Sequence, residues 1–235
     1  MSFASSGLRD KLGFRIGVVM AHMPLFIDLR DKSIVIFGGG HVGERKAKVF
    51  CAYGLTKVVS TSFTEELLKM AENGLIDAIV DDLRDVDKYL ADAFLVVPAT
   101  NNRDLNDVIA DHAKTKNILV NQVDGIGEVI MPSIITKKNI QVGISTMGKS
   151  PATARFLRQR IESLIENAAL MVKLQEELRD ILKREIDSQV ERRDVLEAII
   201  NNREVWAALA RSYETGRKAA LRIVARERTK RQVIT

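Results

Sequence analysis

Apolar and polar positions along the first half of the chain fall into short blocks, each a compact apolar run followed by a longer stretch with helical spacing. Residues 34–37 are continuously apolar, as a strand covered on both faces requires. Val42, Val49, Phe50 and Tyr53 then recur on one helical face. The pattern repeats: residues 57–61 predict a second strand, 64–73 a helix and 75–80 a third strand. A short acidic segment over 81–90 leads to a fourth strand over 94–97, ended by Pro98, then a helix over 102–116 and a fifth strand over 118–123. Strands alternating with helices imply right-handed crossovers and a Rossmann-like parallel sheet, so the class is α/β.

Beyond Asp124-Gly125 the rhythm changes. Residues 129–136 and 139–145 are β-prone runs separated by Lys137-Lys138, which reads as a small β-hairpin. Ser150-Pro151 then predicts a helix start, with serine as N-cap and proline at the first helical position. Leu157, Ile161, Leu164, Ile165, Ala168 and Val172 predict one apolar face, continued by Leu174, Leu178, Ile181, Leu182, Ile186 and Val190. Asn201 with Glu204 reads as a capping box, and Gly216 as the stop of the helix that follows. The expected organisation is an N-terminal extension over 1–22, a nucleotide-binding sheet domain over 23–124, a hairpin and helix region over 125–165, and an all-helical C-terminal region over 166–235.

Between the first strand and its helix stand Gly38, Gly40 and Gly43, spaced as G-x-G-x-x-G. In a dinucleotide-binding turn the first glycine makes the turn, the second admits a pyrophosphate and the third lets helix and strand pack closely. The free N–H groups and positive dipole end of the next helix then face the phosphates. Ligands of parallel sheets sit at the carboxyl ends of the strands. The expected cofactor contacts are therefore Gly38, Gly40, His41, Val42, Gly43, Ser60, Thr61, Ser62, Phe63 and Thr100. An acidic residue that would hold the ribose hydroxyls is missing from the end of the second strand, and no arginine stands there for a 2′-phosphate, which tilts the expectation toward NAD.

The net charge of +5 changes little once it is located. Residues 217–231 hold seven basic side chains against Glu227, leaving the rest of the chain near neutrality, and no aromatic residues are interleaved there for base stacking. No nucleic-acid partner is expected. One cysteine, Cys51, precludes a disulfide framework, and no apolar run reaches the length of a membrane span. His22 and Pro24 interrupt the apolar run after the first basic residues and no small-residue cleavage site follows, so a cytoplasmic protein without membrane contact is expected. His22, His41 and His112 are scattered and suggest no resident metal. Asp124, leaving the fifth strand on the ligand edge, is a candidate carboxylate, though Asp-Gly is also a common turn pair and the pattern alone leaves the two readings side by side.

Several motifs in order bear on that choice. Residues 23–29 (MPLFIDL), Glu44-Arg45-Lys46-Ala47, Ala99-Thr100-Asn101-Asn102 with Asn106, Asn121-Gln122-Val123-Asp124, Met131-Pro132-Ser133-Ile134-Ile135 and the run from Ser145 to Pro151 with Ala154-Arg155 resemble the precorrin-2 dehydrogenase family of siroheme synthesis. The resemblance covers residues 23–165. It implies NAD as oxidant, Asp124 as the catalytic carboxylate, a dimerisation region after the Rossmann part, and a homodimer that binds a tetrapyrrole between the two. Expected substrate contacts are Asn121, Met131, Pro132, Thr146, Gly148, Lys149, Ser150 and Arg155, with Lys149, Arg155 and Arg158 set to meet substrate carboxylates. Some members of that family also insert iron, and the sequence leaves this second activity open. Too few residues follow the matched region to hold a fused methyltransferase. A rival of another class is a Rossmann nucleotide-sensing module that oxidises nothing; the motifs at 131–135 and 145–151 are what such a sensor has no evident need for.

Overall fold

The computed structural model describes residues 22–232, apart from 124 and 126. It contains two compact units, one ending at Ile130 and the other beginning at Met131.

The first unit is built on a parallel sheet. Its elements are β1 (Ser33–Phe37), α1 (His41–Phe50), β2 (Leu55–Ser60), α2 (Glu65–Glu72), β3 (Asp77–Val80), α3 (Asp87–Leu90), β4 (Ala93–Pro98), α4 (Arg103–Thr115) and β5 (Leu119–Val120). The strand order is β3-β2-β1-β4-β5, every pair parallel. The central strand carries Ile34, Val35, Ile36 and Phe37, none more than 1% exposed, which is why this run shows no polar alternation. Val35, Phe37, Val59, Val96, Ile109, Ala113 and Val120 form the core on one face. Helix starts follow local chemistry. The Thr64 hydroxyl accepts from the Leu67 N–H at 3.3 Å to open α2, and Asn102 Oδ1 accepts from the Leu105 N–H at 3.2 Å to open α4.

Two expectations need correction here. Tyr53 is not on the helix, because α1 stops at Phe50 and the chain turns straight into β2, with the Tyr53 N–H donating to the Phe50 carbonyl at 2.9 Å. The fifth strand is shorter than the expected 118–123. The Asn121 N–H still donates to Val96 O at 2.9 Å, but the Val129 N–H then returns to Val120 O at 3.1 Å, so the chain leaves the sheet and folds back.

The second unit opens with an antiparallel hairpin, β6 (Ser133–Lys137) and β7 (Ile140–Ile144), turned at Lys138 with φ 49°. Helices α5 (Pro151–Glu185), α6 (Gln189–Ile200), α7 (Arg203–Leu209) and α8 (Tyr213–Gln232) follow. Ser150 caps α5 through the Thr153 N–H, with Pro151 at the first helical position. Met171, Leu174, Leu178 and Leu182 on α5 pack with Val195, Ile199, Val205, Leu209, Ala220 and Val224 of the other three helices. Glu177 ties α5 to α8, accepting from the Tyr213 hydroxyl at 2.6 Å and the Arg217 Nε at 2.5 Å. Burial, then the Glu177 carboxylate, push the Tyr213 hydroxyl up to about 12.

The expected helical details shift in three places. The early apolar face of α5 is not one buried stripe: Leu164 is 73% exposed, whereas Ile165 and Ala169 are buried. The cap lies one residue later than read, because Asn202 accepts from the Glu204 and Val205 N–H groups while Asn201 closes α6. Gly216 is inside α8 and is no stop. A side chain there would stand 2.5 Å from Leu209 Cγ, so this glycine marks the close crossing of α8 over α7.

Candidate functional site

The strand order sets the location. From β1 the chain runs to β2 and β3 on one side and returns to β4 and β5 on the other, so direction reverses between β1 and β4. At such a reversal the loops leaving the two strands part and leave a crevice at their carboxyl ends. Three loops converge there. The Gly38 N–H donates to Val59 O at 2.9 Å, the Ala99 N–H to Phe37 O at 2.7 Å, and the Thr64 N–H to Gly39 O at 3.0 Å.

The glycines in this turn do different jobs. Gly38 has φ +120°, and a Cβ on it would lie 2.6 Å from the Ala99 carbonyl carbon, so both backbone and space demand glycine. Gly39 is pressed against Ser62 and Phe63, and Gly43 against the Gly38 carbonyl. Gly40 differs. It has φ −82° and ψ −175°, and no atom lies within 4 Å of where its Cβ would be. No side chain caps α1 at this end, so its first N–H groups face the open space. An anion with a bulky body, such as a pyrophosphate, fits that cradle in charge and in room.

Ser60 ends β2, and Thr61 and Ser62 are exposed beyond it, offering hydroxyls and backbone groups where a carboxylate often stands. Asp81, just past β3, lies alongside, its N–H donating to Ser60 O at 3.1 Å, but its carboxylate is committed elsewhere. It accepts from Lys88 Nζ at 2.6 Å, the Leu83 N–H at 2.8 Å and the Tyr89 hydroxyl at 2.9 Å. These donors, Lys88 foremost, hold its carboxyl down at about 2. The His41 side chain is almost wholly exposed, with Nδ1 3.7 Å from Glu44, and Val42 is half-buried beside it. Thr100 turns inward. Its hydroxyl donates to Asn106 Oδ1 at 2.7 Å, while the Asn106 amide accepts from the Thr100 N–H and donates to the Thr100 carbonyl, both at 3.0 Å. Asn106 therefore braces the loop that walls Gly38, a role its helical position did not announce in the sequence. A shallow open depression lined by Pro98, Arg103, Asn106, Asp107, Gln122 and Val123 lies on the same edge.

Asp124 lies outside the described residues. Asn121, 3% exposed, accepts from Lys46 Nζ at 2.7 Å and donates to Val129 O at 2.7 Å. His22 Nε2 lies 2.9 Å from the Gly127 carbonyl oxygen.

In the second unit, the residues expected to meet substrate gather around the start of α5. The Thr146 hydroxyl donates to Ser150 O at 2.9 Å and accepts from the Ser150 N–H at 3.1 Å, closing a turn through Met147 and Gly148, both at positive φ. Pro132 packs on Gly143 of β7, next to Met131 in the chain. Lys149 and Arg155 are exposed at this helix end, whose first turn carries no acidic residue. Arg158 is not a free cation of this group, since it donates to Glu162 at 2.9 Å.

A parallel sheet of this order with a glycine cradle at its reversal point defines a dinucleotide-binding protein. Residues 25–133 match the family model described as putative NAD(P)-binding, and residues 137–164 the one described as sirohaem biosynthesis protein central. The chain is 39% identical over 208 residues to the precorrin-2 dehydrogenase of Methanosarcina barkeri, covering 86% of this chain and 93% of that one. It is 33% identical over 196 residues to siroheme synthase 3 of Aeromonas hydrophila, covering 82% of this chain and 42% of that one, so it spans about two fifths of that longer relative. The solved structure of SirC, a precorrin-2 dehydrogenase, has the same fold, with a TM-score of 0.69 at 20% identity over 87% of this chain and 100% of that one. The chain belongs to the precorrin-2 dehydrogenase family. Among the described residues, no helix is long and apolar enough to cross a membrane.

Proposed function

We propose that this protein oxidises precorrin-2 to sirohydrochlorin in siroheme biosynthesis, with NAD as oxidant. The observation that carries the reading is the 39% identity to a precorrin-2 dehydrogenase over nearly the whole of both chains. NAD supplies the hydride acceptor. The chain's own residues do the rest. Gly40 and the uncapped start of α1 seat the pyrophosphate, and the hydroxyls of Ser60, Thr61 and Ser62 meet the ribose. Asp124 takes the proton that leaves with the hydride, or orients the macrocycle for its loss. The carboxylates of the substrate are met by Lys149, Arg155 and the N–H groups at the start of α5, with Met131, Pro132, Thr146, Gly148 and Ser150 shaping that end. The protein works as a homodimer in the cytoplasm. A nucleotide-sensing module is the less favoured reading, because residues 137–164 match a siroheme-biosynthesis family for which pure sensing has no use.

The test is an anaerobic assay of purified protein with precorrin-2 and NAD, following NADH and sirohydrochlorin together, with NADP and ferrous iron in separate arms. Asp124→Asn is expected to lose about 10²- to 10⁴-fold in kcat while binding NAD as before. Full activity in that variant removes Asp124 from its role, and no NADH from the wild-type protein removes the function.

A further inference from the structure

Lys46 sits on α1, one turn past the cofactor cradle, and Asn121 sits 75 residues later where β5 leaves the sheet. The Lys46 ammonium donates to Asn121 Oδ1 at 2.7 Å, and Asn121 Nδ2 donates to the Val129 carbonyl at 2.7 Å. Polarity fixes this arrangement. An ammonium only donates and a backbone carbonyl only accepts, so the amide has one orientation that satisfies both. The Asn121 N–H continues the ladder to Val96 O, and the Val129 N–H returns to Val120 O at 3.1 Å. Both ends of the segment 121–129 are thereby pinned, and position 124 falls between them.

We propose that Lys46 is a positioning residue which, through Asn121, fastens the loop carrying Asp124 to the helix whose first turn seats the cofactor. The hydrogen bonds from Lys46 to Asn121 and from Asn121 to Val129 then tie the start and the end of that loop to the cofactor helix. Asn121 holds the loop with one bond at each end of its amide, and its remaining N–H and lone pair leave the expected substrate contact compatible with this role. Half-burial, and then the neighbouring Arg45, push the Lys46 ammonium below the ordinary lysine range, consistent with a cation held for structure where water is scarce. The inference rests on the reading of Asp124 given above.

The experiment compares wild type, Lys46→Met, Lys46→Arg, Asn121→Asp and Asp124→Asn. For each, NAD affinity is measured by titration without substrate, kcat and KM with precorrin-2, and amide exchange at Val129 without any ligand. Lys46→Met should lose on the order of 10- to 100-fold in kcat, the scale of a misplaced catalytic group, with NAD affinity changed by no more than about threefold. Exchange at Val129 should quicken while that of α1 stays slow, and Lys46→Arg, which keeps a donor, should recover most of the rate. A kcat within about twofold of wild type in Lys46→Met overturns the proposal if Asp124→Asn is inactive. Full activity in Asp124→Asn instead overturns the underlying reading, and this proposal with it. Should Lys46→Met fail to fold, Asn121→Asp decides, because it keeps the acceptor for Lys46 and removes the donor to Val129. A lowered kcat with unaltered NAD affinity supports the link, and an unaltered kcat overturns it.

Discussion

Two glycines only two positions apart separate folding from cofactor binding. Gly40 has a φ of −82°, open to any L residue, and empty space where its Cβ would stand. Gly40→Ala therefore introduces no clash, and the unfolded-state freedom it removes, about 0.4–1 kcal/mol, is set against a loss of similar size from alanine's poorer fit at the N-cap of α1. At roughly 2–4 °C per kcal/mol for a chain of this size, Tm should hold to within a few degrees. The added methyl occupies the room assigned to the pyrophosphate. Losing one charge-assisted hydrogen bond there costs about 1.5–3 kcal/mol, or on the order of 10- to 150-fold in Kd. Gly38→Ala should do the reverse in emphasis. Its φ of +120° is strained for alanine, and its Cβ would sit 2.6 Å from the Ala99 carbonyl carbon and 2.9 Å from the Thr100 nitrogen. Strain and overpacking together give roughly 2–5 kcal/mol of destabilisation. Thermal melts and NAD titrations on the two variants check this. A Gly40→Ala protein that binds NAD as tightly as wild type refutes the assignment of the pyrophosphate to this cradle.

Gly216→Ala should lower the stability of the helical unit: overpacking against Leu209 at 2.5 Å outweighs the roughly 1 kcal/mol that alanine gains in a helix, for a net loss of about 1–2 kcal/mol in urea titration, and a gain would contradict the close crossing of α7 and α8. Asp81, held at about 2 from an ordinary 3.8 by Lys88, the Leu83 N–H and Tyr89, contributes stability that is full above pH 4 and lost as the pH falls toward 2. Asp81→Asn should flatten that part of the acid-unfolding profile, and an unchanged acid limb would show the carboxylate to be uncoupled from folding.

Most of the sheet was legible because burial on both faces leaves a mark in composition. Residues 34–37 and 94–97 are apolar without alternation, and the helix starts at Thr64, Asn102 and Ser150 show in their capping side chains. What sequence missed were features set by contacts far apart in the chain. The stretch 118–123 promised a full strand, but Asn121 and Val129 close a loop across it. Gly216 looked like a helix end because a glycine demanded by a neighbouring helix leaves the same letter as one demanded by a turn. Asn201 and Asn202 offer the same capping chemistry, and the choice between them depends on where α6 ends. At the ligand edge, the glycine spacing and the serines at and after the end of β2 could be picked out directly as candidates. Lys46 and Asn106 stood among the residues of the family resemblance, but their partners were not legible, because a lysine and an asparagine in helices are ordinarily solvent-facing and these two bond to residues outside their own helices.

Because β1 is the middle strand, its two flanks are completed at different times during synthesis. Phe37 finds Val59 soon after it emerges, but its other neighbour, Pro98, belongs to a strand made only after β3 and α3. At a ribosomal pace of about 5–20 residues per second, the interval is roughly two to eight seconds. Through that interval a nascent half-sheet carries a bare apolar edge along Ile34 to Phe37, so slow translation between β2 and β4 is where this polypeptide is most open to aggregation and to chaperones.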